Sequence, residues 1–133
     1  MNTKLLTTLA VLAFVASTGC SQKLTKQQWD QIGVGSKPDN SIVISTITSY
    51  LQKTLIDPDS MKLSCAESKK GWIRDLGFKP HKYGWVVYCD VNGRNRMGGY
   101  AGSRPYAFLF VGNNLVDTWE KGNIGYDFDF SPY

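Results

Sequence analysis

Between Tyr83 and Val91 the chain reads YGWVVYCDV. Side chains along a strand alternate between its two faces, so Trp85, Val87, Cys89 and Val91 point one way and Val86, Tyr88 and Asp90 the other. Tyr106–Val111 repeats the pattern, with Tyr106, Phe108 and Phe110 opposing Ala107, Leu109 and Val111. Gly112-Asn113-Asn114 then reads as a turn, and Leu115–Trp119 returns as a hairpin partner. Met61–Ala66 is a plausible strand and Trp72–Leu76 a weaker one. The ending GYDFDFSPY alternates Tyr126, Phe128 and Phe130 with Asp127 and Asp129, which fits a last edge strand whose acids face water.

Upstream the period is different. Ile44, Ile47, Leu51 and Leu55 recur at spacings of three and four, so Ser41–Ile56 reads as a helix with one apolar face, widened by Val43 and Tyr50. Asp39, Asn40 or Ser41 can cap its start. Its β-branched residues have low helix propensity, so packing must help to hold it. Pro58 ends it, because the residue before a proline is pushed out of helical geometry. Asp57-Pro58-Asp59-Ser60 is a turn or a single helical turn, a commoner use of two such aspartates than metal ligation. A helix followed by a strand meander predicts an α+β domain, with the helix across one face of an antiparallel sheet of three to five strands.

The first twenty residues are MNTKLLTTLAVLAFVASTGC. Lys4 precedes an apolar run, Leu5–Ala16, and small residues follow, which is the layout of an export signal. The run is too short to span a bilayer, which takes about 20 apolar residues. Gly19-Cys20 at the cleavage point resembles the lipobox of bacterial lipoproteins. Ser17 departs from it, standing where leucine is usual. The resemblance implies removal of residues 1–19 and lipidation of Cys20. Residues 20–40 read as a tether with one short helical turn, Lys26–Ile32, that Thr25 can cap, and 41–133 as one domain. Ser21 after the cysteine implies the outer membrane, facing the periplasm or the cell surface. With Cys20 lipidated, Cys65 and Cys89 remain as a pair in an oxidising compartment, and a disulfide between them is expected. Two buried free thiols are the alternative.

The net charge of +4 is unevenly placed. Residues 62–104 carry nine Lys and Arg against Glu67, Asp75 and Asp90, whereas residues 105–133 carry Lys121 against four acids. A basic patch of this kind meets anionic envelope polymers or an acidic protein, or is a face whose charges are neutralised in the fold. The densest part is VNGRNRMGGYAGSRPY. Basic and aromatic residues among glycines suit nucleic acid, but an exported chain does not meet it, so no nucleic-acid partner is expected. Residues 92–104 read as a long loop in which Gly98, Gly99 and Gly102 permit unusual backbone angles. Arg94, Arg96 and Arg104 are candidates for a fork around carboxylate or phosphate, with Tyr100 beside them. Alternatively Tyr100 packs back on the sheet and the arginines pair locally.

DPDSMKL and CDVNGRNRMGGYAGSRPYAFLF together resemble small exported bacterial proteins that have a DPxS turn after a helix and a VNxxNxxGGYxG loop before an aromatic strand. The matching positions are Asp57, Pro58, Ser60, Val91, Asn92, Asn95, Gly98, Gly99, Tyr100, Gly102 and Tyr106. The resemblance implies a fold and carries no activity.

No catalytic constellation stands out. His81 is the only histidine and reads as a solvated turn residue. There is no zinc spacing, and Asp127 with Asp129 makes a weak calcium pattern. No enzyme activity, metal or cofactor is expected. The expected role is a lipid-anchored envelope protein that binds an envelope protein or an anionic polymer through loop 92–104, with the membrane as its other partner. Two alternatives remain. Gly102, Ser103, Tyr106, Trp119, Lys121 and Gly122 resemble the inhibitory loops of small lysozyme inhibitors, and a phage-encoded surface-modifying lipoprotein has the same size and class.

Overall fold

The computed structural model describes residues 23–75, 80–122 and 126–133. The export segment 1–19 and Cys20 lie outside these residues, as do Leu76 and Gly125. The elements are α1 (Lys26–Gln31), α2 (Asn40–Thr54), a single 3-10 turn (Pro58–Ser60), β1 (Lys62–Cys65), β2 (Lys69–Asp75), β3 (Lys82–Asn92), β4 (Arg104–Val111), β5 (Asn114–Glu120) and β6 (Tyr126–Phe130). The fold is α+β, with helices packed on an antiparallel sheet. That sheet has six strands where three to five were expected. The order is β5-β4-β3-β2-β6, and β1 also pairs with β3. The extra strand fits because β3 is eleven residues long. One of its edges takes β2 along Lys82–Val86 and then β1 along Cys89–Asn92.

Asp39 is the residue that caps α2, its carboxylate accepting the Ser41 N–H at 2.8 Å. The Ser41 hydroxyl, which donates to the same oxygen at 2.5 Å, and then this N–H bond hold its pKa below the usual carboxylate value. Val43, Ile47 and Leu51 of α2 bury against Val87, Cys89, Val91, Tyr106, Phe108 and Phe110. These sheet residues belong to the alternating set assigned to one face. Cys65 and Cys89 are register partners with Cα atoms 4.1 Å apart, and they are disulfide-bonded. Closing that loop stabilises the fold by about 3.5 kcal/mol in the chain-entropy model.

The second face is covered by the sheet itself. Ile73, Val86, Ala107 and Leu109 are fully buried there under Trp119, Phe128 and Phe130. Trp119 lies on β5 and Phe128 on β6, the two ends of the strand order, yet their ring centroids are 4.7 Å apart. The sheet is therefore curled until its edges meet. Two facing glycines make room for this. A Cβ on Gly84 would sit 2.3 Å from the Phe110 carbonyl oxygen, and one on its partner Gly71 would sit 2.4 Å from that of Asp129. Glycine in a strand interior commonly marks such a close backbone approach.

The stretch from Thr25 to Pro38, which the sequence places in the tether, packs against the sheet. Trp29 and Val34 are each only 4% exposed. Thr25 and Gln28 form a reciprocal cap on α1, and the Trp29 indole meets Tyr83 edge to face at 5.3 Å. Further along, the Val34 carbonyl accepts from Gly112 N–H and the Gly35 carbonyl from the Trp85 indole N–H, both at 3.3 Å. Burying one large indole is worth a few kcal/mol, enough to hold a six-residue helix that would not form alone.

Candidate functional site

The loop from Gly93 to Ser103 joins the two central strands. It is more ordered than its glycine content suggests. Asn95 N–H donates to the Gly99 carbonyl at 2.8 Å, and Gly98 N–H to the Asn95 carbonyl at 3.0 Å. The Asn95 side-chain oxygen accepts from the N–H groups of Met97 and Gly99 at 3.0 and 3.2 Å. Gly98 has φ +80°, a conformation that side chains resist. Arg94 and Tyr100 close the turn as a β-bridge. Arg96 and Met97 stand at its tip, Met97 with 96% of its surface exposed.

Pro58–Ser60 anchors the base of the loop. Tyr100 donates its hydroxyl to the Ser60 carbonyl at 3.1 Å, and Arg94 N–H donates to Ser60 Oγ at 3.0 Å. Ser60 Oγ in turn donates to the Asp57 carbonyl at 2.8 Å. Two cations lie over the Tyr100 ring, Lys62 Nζ at 4.4 Å and the Arg94 guanidinium at 5.5 Å from its centroid. Tyr100 thus packs back, though onto the 3-10 turn and β1.

The three arginines have separate environments. Arg94 lies on Tyr100. Arg104 binds Glu120 across β4 and β5, with a 2.7 Å contact that raises its pKa further. Arg96 is exposed and has no acidic partner among the described residues. A single three-armed fork is not formed, because Glu120 claims one arm and Tyr100 another. Sequence reasoning missed Ser60 and Lys62 as supports of Tyr100, Glu120 as the partner of Arg104, and Met97 as the apex. For Met97 a signal existed: it is the one large apolar side chain in NGRNRMGG.

Behind the loop runs a groove of about 530 Å³. Its lining includes Tyr50 and Thr54 of α2, Leu55 and Ile56 just beyond the helix, and Arg94, Arg104, Glu120 and Lys121. Tyr106 forms part of its lining and is only 6% exposed. Burial, then the charge of Glu120, push the Tyr106 hydroxyl up to about 12, so it stays protonated. Gly102 and Ser103 also line this groove. Trp119 does not join them, being packed on Phe128 across the sheet. A smaller hollow of about 420 Å³ lies beside Asp57, Asp59, Lys62 and Tyr100.

His81 is half-buried rather than solvated. It stacks on Trp72 at 4.2 Å, and its Nδ1 is 3.3 Å from the Tyr83 hydroxyl. Burial, with a smaller push from Arg74, lowers its pKa. Asp127 and Asp129 are exposed on β6, and Asp127 faces Arg74 at 3.9 Å. Among the described residues no three His, Cys, Asp or Glu side chains gather as a metal site, and no helix is long and apolar enough to cross a membrane. Comparison with protein-family models, curated proteins and solved structures returns no match.

Proposed function

We propose that this chain is a lipid-anchored protein of the bacterial envelope that binds a partner, without catalysis, through the loop 92–104. The export layout and Gly19-Cys20 support the anchor. The observation that carries the binding role is the tip of the loop. Four hydrogen bonds and a β-bridge hold an exposed Met97 next to Arg96, which has no acidic partner among the described residues. A loop ordered in advance loses less entropy on binding, and methionine adapts to irregular apolar sockets. The chemistry fits an apolar socket with an acidic rim on an envelope protein. Arg94 and Lys62 add positive charge at the base.

The chain produced in a bacterial periplasm is used to capture partners from envelope extract, beside a Met97→Asp/Arg96→Glu variant. The expected outcome is a partner held by the native loop and lost with the variant. Equal capture by both removes the loop from the binding role. A lysozyme-inhibitor reading has one favourable observation: Gly102, Ser103, Tyr106 and Lys121 line one groove. A lysozyme activity assay with the purified chain decides it.

A further inference from the structure

We infer that Asp127 and Asp129 close the free edge of β6 against pairing with a second copy of this chain. β6 and β5 are the two ends of the strand order, so each has one edge without a hydrogen-bonded neighbour among the described strands. A bare strand edge is a template for another strand. The segment YDFDF alternates three aromatics with two acids, and aromatics at that spacing pair readily once the acids are gone.

The register tells which N–H groups face that edge. Backbone groups of successive residues in a strand point alternately to its two sides. Ser131 N–H donates to the Lys70 carbonyl at 2.7 Å, in line with the β2–β6 register, so Ser131, Asp129 and Asp127 turn their backbone groups toward β2. A Cβ on Gly71 would sit 2.4 Å from the Asp129 carbonyl oxygen, which places that carbonyl on the β2 side as well. Phe128 and Phe130 therefore point theirs to the open side. Those are the two N–H groups that the carboxylates take. Phe128 N–H donates to Asp127 Oδ1 at 2.9 Å, and Phe130 N–H to Asp129 Oδ1 at 2.8 Å.

The same arrangement recurs at the other end of the sheet. Lys121 N–H donates to the Pro105 carbonyl at 3.1 Å, which turns Lys121, Trp119 and Asp117 toward β4 and leaves Thr118 facing out. Thr118 N–H donates to Asp117 Oδ1 at 2.8 Å. Three outward N–H groups on two edges thus each bond the carboxylate of the residue before. Asp117 is half-buried and held by Lys82 at 2.9 Å, whereas Asp127 and Asp129 are exposed, so β6 is the edge a second chain can reach.

Charge acts in the same direction. Two copies that pair their β6 edges about a two-fold axis run antiparallel. Centred on Asp127, Phe128 or Asp129, that pair sets an aspartate directly opposite an aspartate, which is destabilising. Arg74 offsets only one of the two acids, Asp127, at 3.9 Å. The chain as a whole carries +4, so removing two acids raises the general repulsion between copies. Association after their removal therefore reports the edge itself. The inference rests on neither the lipid anchor nor the loop 92–104.

The full chain in detergent solution is compared with three double variants by sedimentation velocity over a range of concentrations. Asp127→Ala/Asp129→Ala loses the acceptor oxygens and the charges. Asp127→Asn/Asp129→Asn keeps acceptor oxygens and loses the charges. Asp30→Asn/Asp59→Asn loses the same charge at exposed positions away from β6. The alanine pair should self-associate at least about tenfold more tightly than the parent chain, and its Phe128 and Phe130 amides should exchange more slowly as concentration rises. The asparagine pair should fall between the alanine pair and the parent, and the Asp30/Asp59 pair should match the parent. Thermal melts near that of the parent confirm that the variants fold. Four results overturn the inference: an alanine pair no more associated than the parent, equal association of the alanine and asparagine pairs, association of the Asp30/Asp59 pair, or association that leaves exchange at Phe128 and Phe130 unchanged.

Discussion

β3 and β4 and the loop between them are continuous in sequence and opposite in character. The strands bury Val86, Val87, Cys89 and every residue from Tyr106 to Phe110, and both of their faces are covered. From Arg94 to Arg104 every residue is exposed, and what order there is comes from hydrogen bonds. The strands hold the fold by packing, and the loop keeps its shape while burying almost nothing. Such a loop is free to carry recognition, because its outward side chains are not needed for stability.

If that contrast is right, the largest loss follows from damage to the strands. Phe108→Ala removes a ring with no exposed surface that stacks on Tyr106 and meets Tyr50 edge to face. It should cost about 3–5 kcal/mol in denaturant unfolding. A cost below about 1 kcal/mol would mean that the core is looser than its burial suggests.

A smaller effect comes from the flank of the sheet. His81 has its folded pKa lowered from 6.5, so the folded state binds its proton less readily than the unfolded state. Its contribution is fully present above the unfolded value and declines as pH falls from about 6.5 toward the lower folded value. Melting temperature should therefore drop between pH 7.5 and pH 5, and His81→Phe should flatten that part of the profile. An unchanged slope in the variant would assign the pH dependence to carboxylates instead.

The smallest effect belongs to the loop. Met97→Ser with Arg96→Ser should change stability by no more than about 0.5 kcal/mol, since both side chains leave the folded core untouched. A loss comparable to that of Phe108→Ala would erase the contrast between the two regions.

Much of the body was legible from alternation. The residues of β3 and β4 face the sides that their period of two assigns, and the spacing in α2 placed Ile47 and Leu51 in its buried stripe, although Val43 rather than the exposed Ile44 completes it. The site was legible only in part. Arg94, Arg96, Tyr100 and Arg104 mark an unusual loop, but their partners lie far off in sequence. Ser60 is 40 residues from Tyr100, and Glu120 is 16 from Arg104.

The sequence by itself determined the main elements, most faces of the strands and helix and, once Cys65 and Cys89 were expected to pair, the disulfide. Each of these follows from local periodicity or from residue chemistry. Tertiary structure alone decided that Trp29 and Val34 belong to the body, that Trp119 and Phe128 close the second face, and that Glu120 pairs with Arg104. These depend on strand register and on the curl that Gly71 and Gly84 permit, which bring distant segments to within a few ångströms. Packing and charge pairing act only at that range, so no local pattern in the chain records them.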